Sequence, residues 1–116
     1  IKEINDDEMI LDIGPKTIFL IKKIINDSNT VLWNGPAGYF ENPSFQTGTK
    51  EILEIISQKT INDKIFSVAG GGETVAAINK FKKFDSFTFV STAGGAFLEY
   101  LEGKTLPGIK ALNQNV

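Results

Sequence analysis

The chain has no cysteine, no histidine and no arginine; all of its positive charge is carried by lysine. Without cysteine there is neither a disulfide framework nor a thiolate metal site, an absence that fits a cytoplasmic protein. Without histidine the commonest general base and the commonest metal ligand are missing. Without arginine there is no planar clamp for phosphate or for transition-state charge, so any chemistry that needs one must borrow it. No apolar run approaches the roughly 18 residues that a spanning helix requires, and no secretory signal pattern opens the chain. A membrane partner is therefore not expected. A net charge of -2 speaks equally against nucleic acid, which calls for a basic surface.

What is present is ordinary globular composition, 41% hydrophobic and 22% charged over 116 residues. That suffices for one domain and is too short for two. A chain of this size can bury about two thirds of its unfolded surface. The first residue is Ile1 rather than methionine, which reads as a processed chain or a fragment.

Apolar periodicity alternates between strand-like and helix-like stretches. Ile1 to Ile4 alternates, and Asn5-Asp6-Asp7 reads as a turn. Met9 to Ile13 is a short apolar run expected to be a buried strand. Ile18, Ile21 and Ile25 follow at helical spacing after Pro15, a residue welcome in a first helical turn. Thr30 to Trp33 is the second expected strand, and a loop rich in glycine, proline and aromatics runs from Gly35 to Gly48. Thr49 to Lys59 is amphipathic, Ile65 to Ala69 a strand, and Glu73 to Lys83 a helix with Val75, Ile78 and Phe81 inward. Phe87 to Val90 is a strand and Gly94 to Glu102 a short helix. Gly103, Pro107 and Gly108 are expected to break the tail. Helical crossovers of this length force parallel pairing. The expectation is an α/β fold, a parallel sheet with flanking helices.

Four times an apolar run ends at glycine and a helical stretch opens: at Gly14-Pro15, at Asn34-Gly35-Pro36, at Gly70-Gly71-Gly72 and at Ala93-Gly94-Gly95. A strand that stops at glycine before a helix makes an anion site. The helix's first N–H groups lack partners, its dipole places positive charge there, and glycine admits a phosphate close to the backbone. Several such turns on one sheet edge suggest a ligand with several phosphates. One glycine would serve a plain turn, so the run Gly70 to Gly72 favours phosphate. It spells neither the dinucleotide fingerprint nor the lysine-bearing phosphate loop. Glu73 beside it either faces a cation shared with phosphates or simply complements the helix dipole. Ser91-Thr92 before Gly94 fits a second phosphate turn or an ordinary cap. The loop with Tyr39, Phe40 and Glu41 could wall a nucleoside, with Glu41 as acceptor for ribose hydroxyls; core packing is the alternative, and is expected for Trp33.

Taken in order, Asp12-Ile13-Gly14-Pro15-Lys16-Thr17, Trp33-Asn34-Gly35-Pro36, Gly38-Tyr39-Phe40-Glu41, Gly70-Gly71-Gly72-Glu73-Thr74, Ser91-Thr92-Ala93-Gly94-Gly95-Ala96 and Leu98 to Lys104 with Leu106-Pro107-Gly108 resemble the C-terminal part of phosphoglycerate kinases. The resemblance covers essentially all of residues 1–116. It implies an incomplete, Rossmann-like three-layer half-domain from a two-domain, monomeric enzyme. That enzyme moves the acyl phosphate of 1,3-bisphosphoglycerate to ADP with Mg2+, giving 3-phosphoglycerate and ATP. The resemblance further implies that Glu41 holds the ribose hydroxyls and that Asn34, Pro36 and Tyr39 line the nucleotide pocket. Gly71, Gly72 and Thr74 would form the phosphate loop, with Glu73 facing magnesium. Gly72, Gly94 and Gly95 would stabilise the transferring phosphoryl group. The upstream remainder would hold the phosphoglycerate and supply a lysine and the catalytic arginine.

Three positions depart from the family pattern. Glu73 stands where aspartate is usual, Ala93 where a glycine is usual, and Phe97 where a small polar residue is common. Alanine disfavours positive φ, which sets an expectation of poorer phosphate approach at Ala93. Two other readings remain: a stand-alone adenine-nucleotide-binding module and an inactive truncation product. A nicotinamide-type Rossmann domain is disfavoured by its glycine spacing.

Overall fold

The computed structural model describes residues 3–114; Ile1 and Lys2 of the alternating Ile1–Ile4 stretch lie outside them. Three strands, β1 (Thr30–Asn34), β2 (Phe66–Gly70) and β3 (Phe89–Val90), form a parallel sheet in the order β1-β2-β3. The helices are α1 (Pro15–Asn26), α2 (Thr47–Ile61), α3 (Gly72–Lys80), α4 (Gly95–Leu101) and α5 (Pro107–Gln114). The α/β class and the parallel pairing are as expected. All three strands end at one edge, where Asn34 is level with Gly70.

Side-chain alternation along each strand sorts the sheet into two unlike faces. Trp33, Ser67 and Ala69 point to a buried face, where α2 contributes Ile52, Leu53 and Ile56, α3 contributes Ala77 and Ile78, and α1 contributes Ile25. Trp33 stacks on Phe87 with ring centroids 6.2 Å apart, so its role is core packing. α3 seats Thr74 with Ala77 and Ile78, one helical turn apart, whereas Val75 and Phe81 are only half-buried. Serine enters this face because hydroxyls pair: Ser67 Oγ meets Thr60 Oγ1 at 2.7 Å and accepts the Thr88 N–H at 3.1 Å.

The opposite face is largely bare. Leu32, Val68 and Phe89 form one row across the three strands by register. Leu32, Phe66 and Phe89 are 52%, 52% and 57% exposed. α4 reaches only the end of this face, where the Phe97 ring rests on Gly70. α1 repeats the pattern, with Phe19, Leu20 and Ile24 exposed opposite buried Ile25. The accessible surface of 8083 Å² exceeds the roughly 6,200 Å² typical of a monomer of this mass. Exposed apolar side chains on the bare sheet face and on α1 add to that excess, and the architecture is two layers where a doubly wound sandwich has three.

Three expected elements differ, each for a physical reason. Met9–Ile13 is not a strand. Met9 and Ile10 are 78% and 56% exposed, and the segment lies on the loop after β1, joined by the Tyr39 N–H donating to the Leu11 carbonyl at 2.8 Å. An apolar run becomes a strand only when a ladder partner is beside it. The tail is helical rather than broken: Pro107 and Gly108 begin α5, because proline at a first helical position forfeits an N–H that has no partner anyway. β3 is also shorter than the expected Phe87–Val90, since Phe87 turns into the core.

The bare face has a direct consequence. In sedimentation velocity the isolated 116-residue chain is expected to self-associate, and Phe66→Gln with Phe89→Gln to reduce that association. A monodisperse monomer with a cooperative melt would contradict it.

Candidate functional site

The carboxyl edge of the sheet is built by cross-links between segments far apart in sequence. Asn34, at the end of β1, donates from Nδ2 to the Gly70 carbonyl at 2.7 Å. The next residue, Gly35, donates its N–H to Thr74 Oγ1 at 2.6 Å. Thr74 lies on the first turn of α3 and is 1% exposed. Asn34 and Thr74 thus fasten the loop after β1 to the turn after β2. Gly71 makes this possible twice over. Its φ of 97° suits glycine alone, and a Cβ there would press on the Asn34 amide at 2.8 Å.

The helix N-termini at this edge are not alike. At α2 the Gly48 N–H donates to Asp12 Oδ2 at 3.1 Å, and Asp12 Oδ1 takes the Ile13 N–H at 2.8 Å. Asp12 therefore caps α2 from outside the helix, a favourable place for a carboxylate, and that N-terminus is already occupied. Gly38 and Gly48 make room, because a side chain at either would collide with the Asp12 carboxylate. At α3 and α4 the cap positions are Gly71 and Gly94, with no side-chain cap. Val75 N–H to Gly71 carbonyl, 2.9 Å, is the first bond of α3. The N–H groups of Gly72, Glu73 and Thr74 precede it and stay available.

Two concavities meet these open turns. One of 330 Å³ is lined by residues 10–13, Pro36, Ala37, Gly38, Tyr39 and Glu73. The other, 140 Å³, lies between Gly71, Gly72, Val75, Ser91, Thr92 and Gly94. Glu73 borders the first while its neighbour Gly72 borders the second. A larger groove of 730 Å³ runs between α1 and α2, but no glycine turn opens into it; size alone does not make a site.

The structure brings Pro36, Tyr39 and Glu73 together at one hollow and Gly71, Gly72 and Gly94 at the next. Asn34 and Thr74 tie the walls. Gly95 begins α4 beside Gly94. Glu41 is exposed and lines neither hollow. The left-handed residue of the last turn is Gly94, φ 62°, and Ala93 is not among the residues of positive φ. Ala93 thus escapes the positive φ that alanine disfavours; its N–H donates to Ser91 Oγ at 3.3 Å. Phe97 packs into the notch that Gly70 leaves at the end of β2.

Sequence reasoning missed Asp12 and Lys80 as contributors to the site's frame. They act on backbone 36 and 40 residues away in sequence, a spacing that leaves no local signature. Among the described residues, the only charged side chains lining the two hollows are Asp12 and Glu73. With Asp12 spent on α2, an anion here would meet peptide N–H groups and one free carboxylate. Such a pairing needs a cation between them. Among the described residues no group of three or more acidic, histidine or cysteine side chains could hold a metal. A magnesium ion fits the remaining arrangement, since it takes one or two carboxylates plus phosphate oxygens and water. No helix among the described residues is long and apolar enough to cross a membrane.

Fold and edge together define a class: a parallel α/β unit whose open glycine turns gather at the carboxyl ends of its strands, where such sheets bind ligands. The family profile for phosphoglycerate kinase matches residues 1–104. A phosphoglycerate kinase of Rhodopseudomonas palustris is 52% identical over 109 residues, covering 94% of this chain and 27% of that protein. One from Xanthobacter flavus is 46% identical over 114 residues, 98% of this chain and 29% of that protein. Among solved structures, phosphoglycerate kinase from Coxiella burnetii superposes with a TM-score of 0.83 at 43% identity, over 96% of this chain and 28% of that one. The Pyrococcus horikoshii enzyme gives 0.78 at 36% identity, over 92% and 25%. The chain belongs to the phosphoglycerate kinase family. It spans under a third of the length of the relatives it matches.

Removing the external cap of α2 is expected to cost about 1–2 kcal/mol. Asp12→Ala should lower the thermal midpoint of the full-length protein, and Gly48→Ala should do the same by evicting the carboxylate. An Asp12→Ala variant that melts like the parent would show that the cap carries no stability.

Proposed function

We propose that this chain is the nucleotide-binding part of an enzyme that transfers the acyl phosphate of 1,3-bisphosphoglycerate to ADP, giving 3-phosphoglycerate and ATP in glycolysis. The observation that carries the reading is the contrast at the sheet edge: α2 is capped by Asp12, whereas α3 and α4 open at uncapped Gly71 and Gly94. The nucleoside would lie in the 330 Å³ hollow against Pro36 and Tyr39, with the Glu41 carboxylate accepting from the ribose hydroxyls at its rim. The phosphates would pass Gly71, Gly72 and Thr74 toward Gly94 and Gly95.

The chemistry suits what the chain lacks. A phosphate oxygen of ADP is already an anion, so no general base is required and the absence of histidine costs nothing. That oxygen forms a bond to phosphorus as the bond to the acyl oxygen breaks, and the carboxylate leaves with its electron pair. Catalysis of such a transfer is mostly positioning and charge stabilisation. Gly72, Gly94 and Gly95 would donate N–H groups to the equatorial oxygens. Magnesium, when bound, neutralises phosphate charge; Glu73 would hold it from the protein side. The lysine and arginine that the hollows lack would come from the remainder of the protein, which would also hold the phosphoglycerate. The whole enzyme would be a cytoplasmic monomer.

In the full-length protein, Glu73→Gln is expected to lower ATP formation by about tenfold or more, on the scale of losing one stabilising charge, and to raise the magnesium concentration required. Glu73→Asp should keep most activity. Unchanged magnesium dependence in Glu73→Gln would remove Glu73 from the metal site. The 116 residues alone should form no ATP from 1,3-bisphosphoglycerate. Fused to the upstream part of a working phosphoglycerate kinase they should; a folded, inactive chimera that reversion of Glu73 and Ala93 does not rescue would count against the proposal.

A further inference from the structure

Lys80 is the last residue of α3, at the end opposite the phosphate turn. Its Nζ donates to the Phe40 carbonyl at 2.7 Å. The same ammonium lies 5.8 Å from the ring centroids of both Phe40 and Phe81, within range of attraction to both π faces. Phe40 is 4% exposed, so the carbonyl Lys80 reaches belongs to an anchored residue.

That carbonyl shares a planar peptide unit with the N–H of Glu41. Holding the oxygen therefore fixes the Cα of Glu41. The other hydrogen bonds around this point are local: Phe40 N–H to Gly38 carbonyl at 2.9 Å, Asn42 N–H to Tyr39 carbonyl at 3.2 Å and Ser44 N–H to Asn42 Oδ1 at 2.9 Å. Phe45 N–H to the Asn42 carbonyl at 2.9 Å is likewise local; among the described residues, the bond from Lys80 is the one that ties residues 40–42 to a part of the chain remote in sequence. α3 thus grips the loop after β1 at both of its ends. Thr74 holds Gly35 at the first turn and Lys80 holds Phe40 at the last.

We propose that Lys80 is a positioning residue for nucleotide recognition: it holds the Phe40–Glu41 peptide so that the Glu41 carboxylate faces the ribose hydroxyls of a nucleoside diphosphate whose phosphates sit at the other end of α3. The inference rests on the ribose role given to Glu41 above. Lysine suits the task because its ammonium makes a charge-assisted bond to the carbonyl within reach of two aromatic rings. One helix then sets the spacing between the phosphate turn and the ribose acceptor. Loss of Lys80 would leave the phosphate contacts intact and blur only the sugar contact.

The test compares magnesium-supported binding of ADP and of 2′,3′-dideoxy-ADP to the full-length protein. Glu41→Gln should abolish the preference for ADP. Lys80→Met should weaken ADP binding by roughly tenfold, the scale of one hydrogen bond to a charged group, and leave dideoxy-ADP binding unchanged. Lys80→Arg should restore most of the preference, and the double variant should lose no more than Glu41→Gln alone. If Glu41→Gln abolishes the preference while Lys80→Met weakens both nucleotides alike, or neither, the positioning role is overturned and the ribose reading stands. If Glu41→Gln keeps the preference, the ribose reading falls and the inference with it. Should Lys80→Met fail to fold, Lys80→Gln, whose amide is too short to span the gap, carries the same expectation and the same refutation.

Discussion

Two hydrogen bonds hold the working edge together: Asn34 Nδ2 to the Gly70 carbonyl at 2.7 Å and Gly35 N–H to Thr74 Oγ1 at 2.6 Å. Sheet pairing alone ends at Asn34 and Gly70. Beyond that point two loops would diverge, each with unpaired backbone groups. The Asn34 amide and the Thr74 hydroxyl continue the pairing by side chain, and Gly71 must be glycine for them to meet. The placement of the hollow beside Tyr39 and of the open N–H groups of α3 follows from this tie.

The same economy governs which helix ends are open. A carboxylate at a helix N-terminus is stabilising, and Asp12 satisfies α2 in that way. α3 and α4 instead begin at glycine with no side-chain cap. Their donors are unsatisfied by design of the local sequence, since glycine at a cap position brings no oxygen of its own. The site is the part of the edge left incomplete. The bare sheet face of Leu32, Phe66 and Phe89 is incomplete in another sense: it exposes apolar surface that a longer chain of this family has material to cover.

Much of the fold was legible because periodicity is local. The strand at Thr30–Asn34, the long helix at Thr47–Ile61 and the glycine turn into Gly72–Lys80 all announce themselves within ten to fifteen residues. Met9–Ile13 departs from expectation because β structure is a pairing, and an apolar run cannot say whether a partner exists. The helix at Pro107 departs from expectation because proline breaks helices from inside but starts them from the end. In the site, Glu73 and the glycines were visible as a motif. The hydrogen bonds from Asp12 and Lys80 were not, since each joins a side chain to a backbone group in another element. Ala93 shows the reverse case: a glycine position looked necessary until the left-handed residue proved to be its neighbour Gly94.

The central claim is that the open glycine turns at the carboxyl edge receive the phosphates of a nucleotide. The most direct measurement is an NMR titration of the full-length protein, labelled with 15N-glycine, against ADP with magnesium. The account predicts that the amide resonances of Gly71, Gly72, Gly94 and Gly95 shift on saturation, and that those of Gly14 and Gly108, outside the lined hollows, do not. Saturable binding that leaves the four edge glycines unmoved would contradict it.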